Sequence, residues 1–162
     1  MTIHEATERL REIADDAARK FEGLPLYVHT EEFFSDARLG PTIEEKAKYI
    51  SVTVVLCTNA PDDENGGVEH RIGIGVEVKS KKVSEEDIEA ARIDFEKVIE
   101  EAHERLVSAE VCADELAIIE KEADEKYREM IEEYKKSLPK KMFMLIGAVI
   151  VAVGLIVLAT VL

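Results

Sequence analysis

Residues 50–57 read Ile-Ser-Val-Thr-Val-Val-Leu-Cys, and residues 71–78 read Arg-Ile-Gly-Ile-Gly-Val-Glu-Val. In both stretches every second residue is a branched apolar residue. An alternation of period two places all of these side chains on one face of a β-strand. The intervening segment, 59–67, is rich in turn formers and acidic residues. We therefore predict a β-hairpin with a long acidic tip.

The residues before this hairpin predict one further strand and one helix. Thr2 and Glu5 have the spacing of a capping box, and apolar residues then recur at intervals of three and four as far as Phe21. Leu26 to Thr30 is typical of a short strand, whereas Glu31 to Lys48 is expected to form a loop with one or two short helices. Residues 1–83 should therefore form a small α+β head, in which a helix covers one face of a three-stranded sheet.

The segment 84–138 contains neither Gly nor Pro and carries an apolar residue at every seventh position. A repeat of seven sustained over this length is typical of a coiled coil. We expect one long acidic helix of roughly 80 Å, whose first turns pack on the head and whose remainder forms a stalk. The alternative is a break near Ser108 to Asp114 that folds the helix back as a hairpin. The seven-residue row is Ile88, Phe95, Ala102, Ala109, Leu116, Ala123 and Met130, with Ala91, Val98, Cys112 and Ile119 beside it.

The final 21 residues, Met142 to Leu162, contain no charged side chain. This length suits one helical crossing of a bilayer core about 30 Å thick. Residues 139–162 are therefore expected to be a juxtamembrane segment followed by a single-pass transmembrane helix. Because four lysines precede the span and none follows it, the N-terminal part should face the cytoplasm. This is the tail-anchored arrangement. The lysines are Lys135, Lys136, Lys140 and Lys141.

The composition limits the classes of partner. The chain has 35 acidic and 21 basic residues, a formal net charge of −14, and no charge in the predicted span. Nucleic acid is excluded as a partner, because phosphate binding requires concentrated Lys and Arg. Cys57 and Cys112 are the only two cysteines, which suits a reducing compartment rather than a disulfide-bonded scaffold.

Two patterns resemble metal sites and are interpreted otherwise. Glu100 and His103 have the Glu-x-x-His spacing of di-iron bundles, but such bundles need two copies and further glutamates. We expect His103 to be a solvent-facing helix residue. The acidic stretch 62–67 does not fit a calcium-binding loop in either register, because its glycines and its expected Glu fall at the wrong positions. We expect an exposed acidic turn.

Gly73 and Gly75 lie within a predicted strand, on its polar face, which is the wrong context for a phosphate loop. Bare positions on a sheet indicate close approach by another element, which we expect to be either Phe33 and Phe34 or a partner. His29 lies on a neighbouring predicted strand. A pocket formed by these five residues would suit a small ligand or ion. His29 and His70 are also expected to be possible neighbours across the sheet.

We find no catalytic motif, and we predict no catalytic residue, no metal ligand and no cofactor. The expected function is that of a non-enzymatic adaptor, scaffold or accessory subunit working through protein–protein contacts at a membrane. Self-association is expected along the stalk, with two copies of Cys112 facing each other, and through small residues of the span. The alternative is a ligand- or ion-sensing module of a membrane transporter or enzyme complex. The small residues are Gly147, Ala148, Ala152 and Gly154.

Overall fold

The computed structural model of the chain describes residues 1–36, 41–60 and 67–137. The chain forms two units, of which the first is Met1–Lys121 and the second begins at Glu122. We call Met1–Lys121 the head unit. Most of the predicted acidic tip and the predicted transmembrane segment Met142 to Leu162 lie outside the described residues. Among the described helices, none is both long enough and apolar enough to cross a bilayer.

The head unit contains an antiparallel sheet of three strands. These are β1 (Tyr27–Ser35), β2 (Tyr49–Cys57) and β3 (Glu69–Glu77), and β2 lies in the centre. Val54 of β2 pairs with Thr30 of β1 and Ile72 of β3. The predicted α+β class and the predicted pairing of the last two strands are confirmed.

Strand β1 is longer than predicted. Our prediction of a loop from Glu31 onwards is wrong for Glu31–Ser35, which continue to pair with β2. Phe34 is half-buried against the core, whereas Phe33 is exposed on the other face. Phe33 and Phe34 therefore point to opposite faces of one strand, which stays paired with β2 as far as Tyr49. A short 3-10 helix follows at Glu44–Lys46.

Helix α1 (Ile3–Arg19) forms as predicted. The Thr2 hydroxyl accepts a hydrogen bond from the Glu5 amide at 3.2 Å, and the Thr2 amide donates to the Glu5 carboxylate at 2.7 Å. The bond from the Thr2 amide lowers the pKa of the Glu5 carboxyl. The apolar stripe of α1 packs on the sheet, and Leu10 and Ala14 are fully buried.

The predicted continuous helix over 84–138 is wrong, because the structure has two helices. Helix α2 (Glu85–Ser108) ends where Ala109 adopts an extended conformation, and α3 (Cys112–Ser137) begins three residues later. A straight helix would carry Leu116 about 15 Å beyond Leu106. The break allows both side chains to join the core, in which they are almost fully buried. The position of the break agrees with the alternative prediction, which placed it near Ser108 to Asp114.

The seven-residue repeat is the inward face of these helices within the head unit. Most of its members there pack on one side of the sheet, together with α1, in a single buried cluster, whereas Val98 is exposed and Ala109 is half-buried. The coiled-coil interpretation of the repeat is therefore wrong as far as Ile119. Beyond the head unit, Tyr127, Met130 and Tyr134 are exposed. The buried members are Ile88, Phe95, Ala102, Cys112, Leu116 and Ile119.

Candidate functional site at the edge of the sheet

The odd-numbered residues of all three strands lie on the outer face of the sheet, opposite the helices. The register places His29, Val55 and Arg71 in one row of this face and Phe33, Ser51 and Gly75 in another. The described helices pack against the even-numbered residues. Within the described part of the chain, the outer face is therefore covered only by its own side chains.

A charged network ties the three strands together on this face. Arg71 pairs with Glu31 and also donates from Nε to Glu69 at 2.6 Å. The Nε2 atom of His29 lies 3.2 Å from the Glu31 carboxylate. The Arg71 guanidinium, and then His29, lower the pKa of Glu31, and the same pairing raises the pKa of Arg71. The network links β1 to β3 across the middle strand.

Val55 and Cys57 are buried beside this network although they point away from the helices. Burial raises the pKa of the Cys57 thiol, and the nearby Glu69 carboxylate adds to the effect. The thiol therefore stays protonated at neutral pH, which argues against a role as a nucleophile. The Nδ1 atom of His29 is also buried and has no hydrogen-bond partner.

The Tyr49 ring crosses Gly75 on the outer face of the sheet. A Cβ atom at Gly75 would lie 2.4 Å from the Tyr49 hydroxyl oxygen and 2.9 Å from the Ser51 Cβ. At Gly73 the nearest atom would be the Thr53 hydroxyl oxygen, at 3.3 Å. The prediction of close approach at a bare position is thus correct for Gly75. The predicted identity of the approaching residues, Phe33 and Phe34, is wrong.

The backbone of β3 is open along one side. The Thr58 amide bonds to the Val68 carbonyl, and the Val78 amide bonds to the Lys48 carbonyl, both in the register of the β2–β3 ladder. In an antiparallel pair, alternate residues direct both backbone groups to the partner strand. The backbone groups of Gly73 and Gly75 therefore point away from β2. No other described strand pairs with β3 on that side.

A groove of about 390 Å³ runs along this open edge, between β3 and helix α2. Phe95 is buried at its base, and the Val98 side chain is 44 % exposed. Asp94 is exposed, and none of the ion pairs between described residues includes it. The groove thus combines an apolar floor, a carboxylate outside the ion pairs of the described residues, and backbone groups that no described strand pairs. Its walls are formed by residues 70–75 of β3, Tyr49, and Ala91, Asp94, Phe95 and Val98 of α2.

Two larger grooves, of about 630 and 780 Å³, lie along helices α1 and α2. The Arg and Lys side chains that line them are each paired with a nearby carboxylate. Arg92 contacts Glu89 and Glu96, and Arg9 contacts Glu12 at 3.0 Å. Because each of these side-chain cations has a carboxylate partner, the grooves lack the concentrated positive charge that would favour an anionic ligand.

Glu100 and His103 do not form a metal pair. Glu100 contacts Lys20, which lowers the pKa of its carboxyl, and His103 is half-buried with its ring edge against Phe21, at a centroid distance of 5.8 Å. The expectation of a solvent-facing His103 is therefore wrong. Among the described residues, no cluster of three or more His, Cys, Asp or Glu could hold a metal ion.

His29 and His70 do not lie side by side, because they point to opposite faces of the sheet. His70 is buried on the helix side, where its Nδ1 atom lies 2.5 Å from the Glu120 carboxylate. This contact ties the first half of α3 to β3. Phe34 also faces the helices, so the pocket predicted around Gly73, Gly75, Phe33, Phe34 and His29 is not assembled as one site.

The residues that sequence reasoning missed are Tyr49, Asp94 and Glu120. Tyr49 precedes the alternating run of β2, and only the pairing register reveals that it reaches Gly75. Asp94 is one of many acidic residues on α2. Its position beside the edge of β3 depends on how the helix packs, which periodicity alone does not specify.

The chain was compared with protein-family models, with curated proteins and with solved structures. None of the three comparisons gives a match.

Proposed function

We propose that this protein is a membrane-tethered adaptor or accessory subunit that acts through protein–protein contacts. The uncharged stretch Met142 to Leu162 carries the proposal, because it has the length and composition of a single transmembrane helix. It lies C-terminal to the head unit in the sequence and would hold the acidic α+β head unit beside the cytoplasmic leaflet. The net charge of −14 disfavours contact between the head unit and anionic lipid.

The head unit supports a binding role rather than a chemical one. Its cysteines are buried with raised thiol pKa values, and its described histidines contact carboxylates or an aromatic ring. The open edge of β3 and the groove beside it are instead suited to a polypeptide partner. We assign the contact function to this region of the head unit.

The test is gentle detergent extraction of the tagged full chain from membranes, followed by identification of the proteins that accompany it. A matched variant replaces residues 138–162 with an unrelated transmembrane helix, and a second variant keeps the anchor but lacks residues 1–121. We expect the same partners with the exchanged anchor and their loss without the head unit. Partners that persist without the head unit would contradict the adaptor role.

A further inference from the structure

Along the edge of the sheet, β3 carries backbone groups that pair with no other described strand, beside the groove between β3 and α2. A row of free N–H and C=O groups at a sheet edge is a template for another strand. Natural proteins protect such edges or use them to bind extended peptides, which then add as a new strand. Gly73 and Gly75 both point their backbone groups outward, and the bare position at Gly73 allows an incoming main chain to approach closely there.

The adjacent groove would select the side chains of such a strand. In an added strand, alternate side chains point to the helix side of the sheet. These would lie over the buried Phe95 and the exposed Val98, which favour apolar groups, and beside the exposed Asp94 carboxylate, which favours a cation. Glu101 follows three residues after Val98 and extends the same face of α2.

The charges disfavour a second copy of this chain as the occupant. An antiparallel pair of β3 strands centred on Gly73 would place Glu69 directly opposite Glu77 of the other copy. Like charges in opposed positions are destabilising, and each copy carries a net charge of −14. The outer edge of β1 is a poorer site, because Ser35 at its end already bridges to Pro41.

We propose that the edge of β3 and the groove beside α2 bind an extended, basic peptide segment of a partner protein, added as a fourth strand with alternating apolar and Lys or Arg side chains facing α2. This proposal rests on the proposed adaptor function and names the contact surface. The partner's main chain bonds to the outward groups of Gly73 and Gly75. Its cation pairs with Asp94.

The test uses the full chain in lipid nanodiscs as the target for a displayed library of random seven-residue peptides, with empty nanodiscs for counter-selection. The enriched peptides are then synthesised, and their binding is measured by fluorescence anisotropy. We expect enrichment of sequences in which every second residue is either apolar or a Lys or Arg, because these are the residues that would face α2. Each enriched peptide is also made in two N-methylated forms, one for each set of alternate amides. Only the form methylated on the amides that face β3 should lose binding.

Two variants of the protein locate the site. Gly73→Pro removes an outward N–H at a position where an edge strand tolerates proline, and should abolish binding. Asp94→Lys should weaken the binding of the basic peptides by about tenfold. The matched control is Glu104→Lys, which makes the same charge change on α2 outside the groove and should weaken binding by about twofold or less. Circular dichroism establishes that each variant is folded.

The proposal is overturned if no peptide is enriched over empty nanodiscs. It is also overturned if enriched peptides lack the alternation, or if they bind equally well to folded Gly73→Pro and Asp94→Lys proteins. A chain that inserts into membranes but enriches no such peptide would refute only this surface. A chain that enriches them but stays out of membranes would refute only the tether.

Discussion

Tyr49 and Gly75 show how one side chain can determine the identity of another residue. The Tyr49 ring lies across the backbone of β3 and leaves no space for a Cβ atom at Gly75. A glycine inside a strand loses packing and entropy, and an aromatic ring from the neighbouring strand compensates for this. The sequence alone indicates that something approaches these glycines, but not which residue, because Tyr49 becomes a neighbour only through strand pairing.

Gly75→Ala should destabilise the fold by about 1–3 kcal/mol, because the new methyl group overlaps Tyr49 and Ser51. Gly73→Ala is the control and should change stability by less than about 1 kcal/mol, because its nearest neighbour is a hydroxyl at 3.3 Å. Urea unfolding of the detergent-solubilised chain, followed by circular dichroism, measures both. In a chain that already carries Tyr49→Ala, Gly75→Ala should lower the free energy of unfolding by less, because most of the overlap has been removed. Equal effects at the two glycines would contradict this packing.

Cys57 and Cys112 should react slowly with iodoacetamide at pH 8, because burial raises the pKa of both thiols. In a chain with Cys57→Ala and Cys112→Ala, a cysteine introduced at the exposed position 108 (Ser108→Cys) should react about tenfold faster than the buried thiols. Urea should abolish the difference. Ready formation of a Cys112-linked dimer from folded protein would show that this side chain is not held in the core.

The raised thiol pKa values also have a consequence for stability. The folded chain binds the thiol protons more tightly than the unfolded chain does. The resulting contribution is complete below the ordinary thiol pKa of about 8.5 and is lost as the pH rises through the raised values. The free energy of unfolding should therefore fall above that pH, and Cys57→Ala together with Cys112→Ala should reduce the fall. An unchanged dependence would contradict the burial of these thiols.

At the scale of elements, the break between α2 and α3 is the feature that sequence periodicity does not locate. Residues 84–138 contain no Gly or Pro, and the seven-residue repeat runs through Ala109. Local propensity therefore favours a continuous helix, but burial of Leu116 and the contact between His70 and Glu120 favour a turn. A further contact, between Arg105 and Glu115 at 2.6 Å, spans the break. Tertiary packing overrides propensity here.

Leu116→Ala should release the first half of α3 from the head unit. The side chain is fully buried, so its truncation should cost about 2–5 kcal/mol. The control is Ile118→Ala, at a 48 % exposed position two residues away, which should change stability by about 0.5 kcal/mol or less. Hydrogen exchange of the full chain should show faster exchange in Cys112–Lys121 only for Leu116→Ala. Unchanged protection there would contradict the docked α3.

At the scale of the whole molecule, the sequence predicted the architecture of the head unit better than its extent. Val52, Val54, Ile72 and Ile74 alternate so regularly that the sheet and its buried face follow directly. The capping box of Thr2 and Glu5 likewise marked the start of α1. The extent of the head unit, to Lys121, depends on long-range packing of Leu106, Leu116 and Ile119. The groove beside β3 has the same origin, because it exists only when α2 lies against the strand.

The tether is the claim on which the proposed function depends, and alkaline carbonate extraction of cell membranes tests it most directly. The variant Val151→Lys with Leu155→Lys places two charges in the predicted span, each costing about 2.5–3.5 kcal/mol at the centre of a bilayer. The control, Val107→Lys with Val111→Lys, adds the same charge at exposed positions of the head unit. We predict that the natural chain and the control stay in the membrane pellet, whereas the span variant is released. A natural chain found unaggregated in the aqueous fraction, or a span variant retained as firmly as the control, would contradict the account.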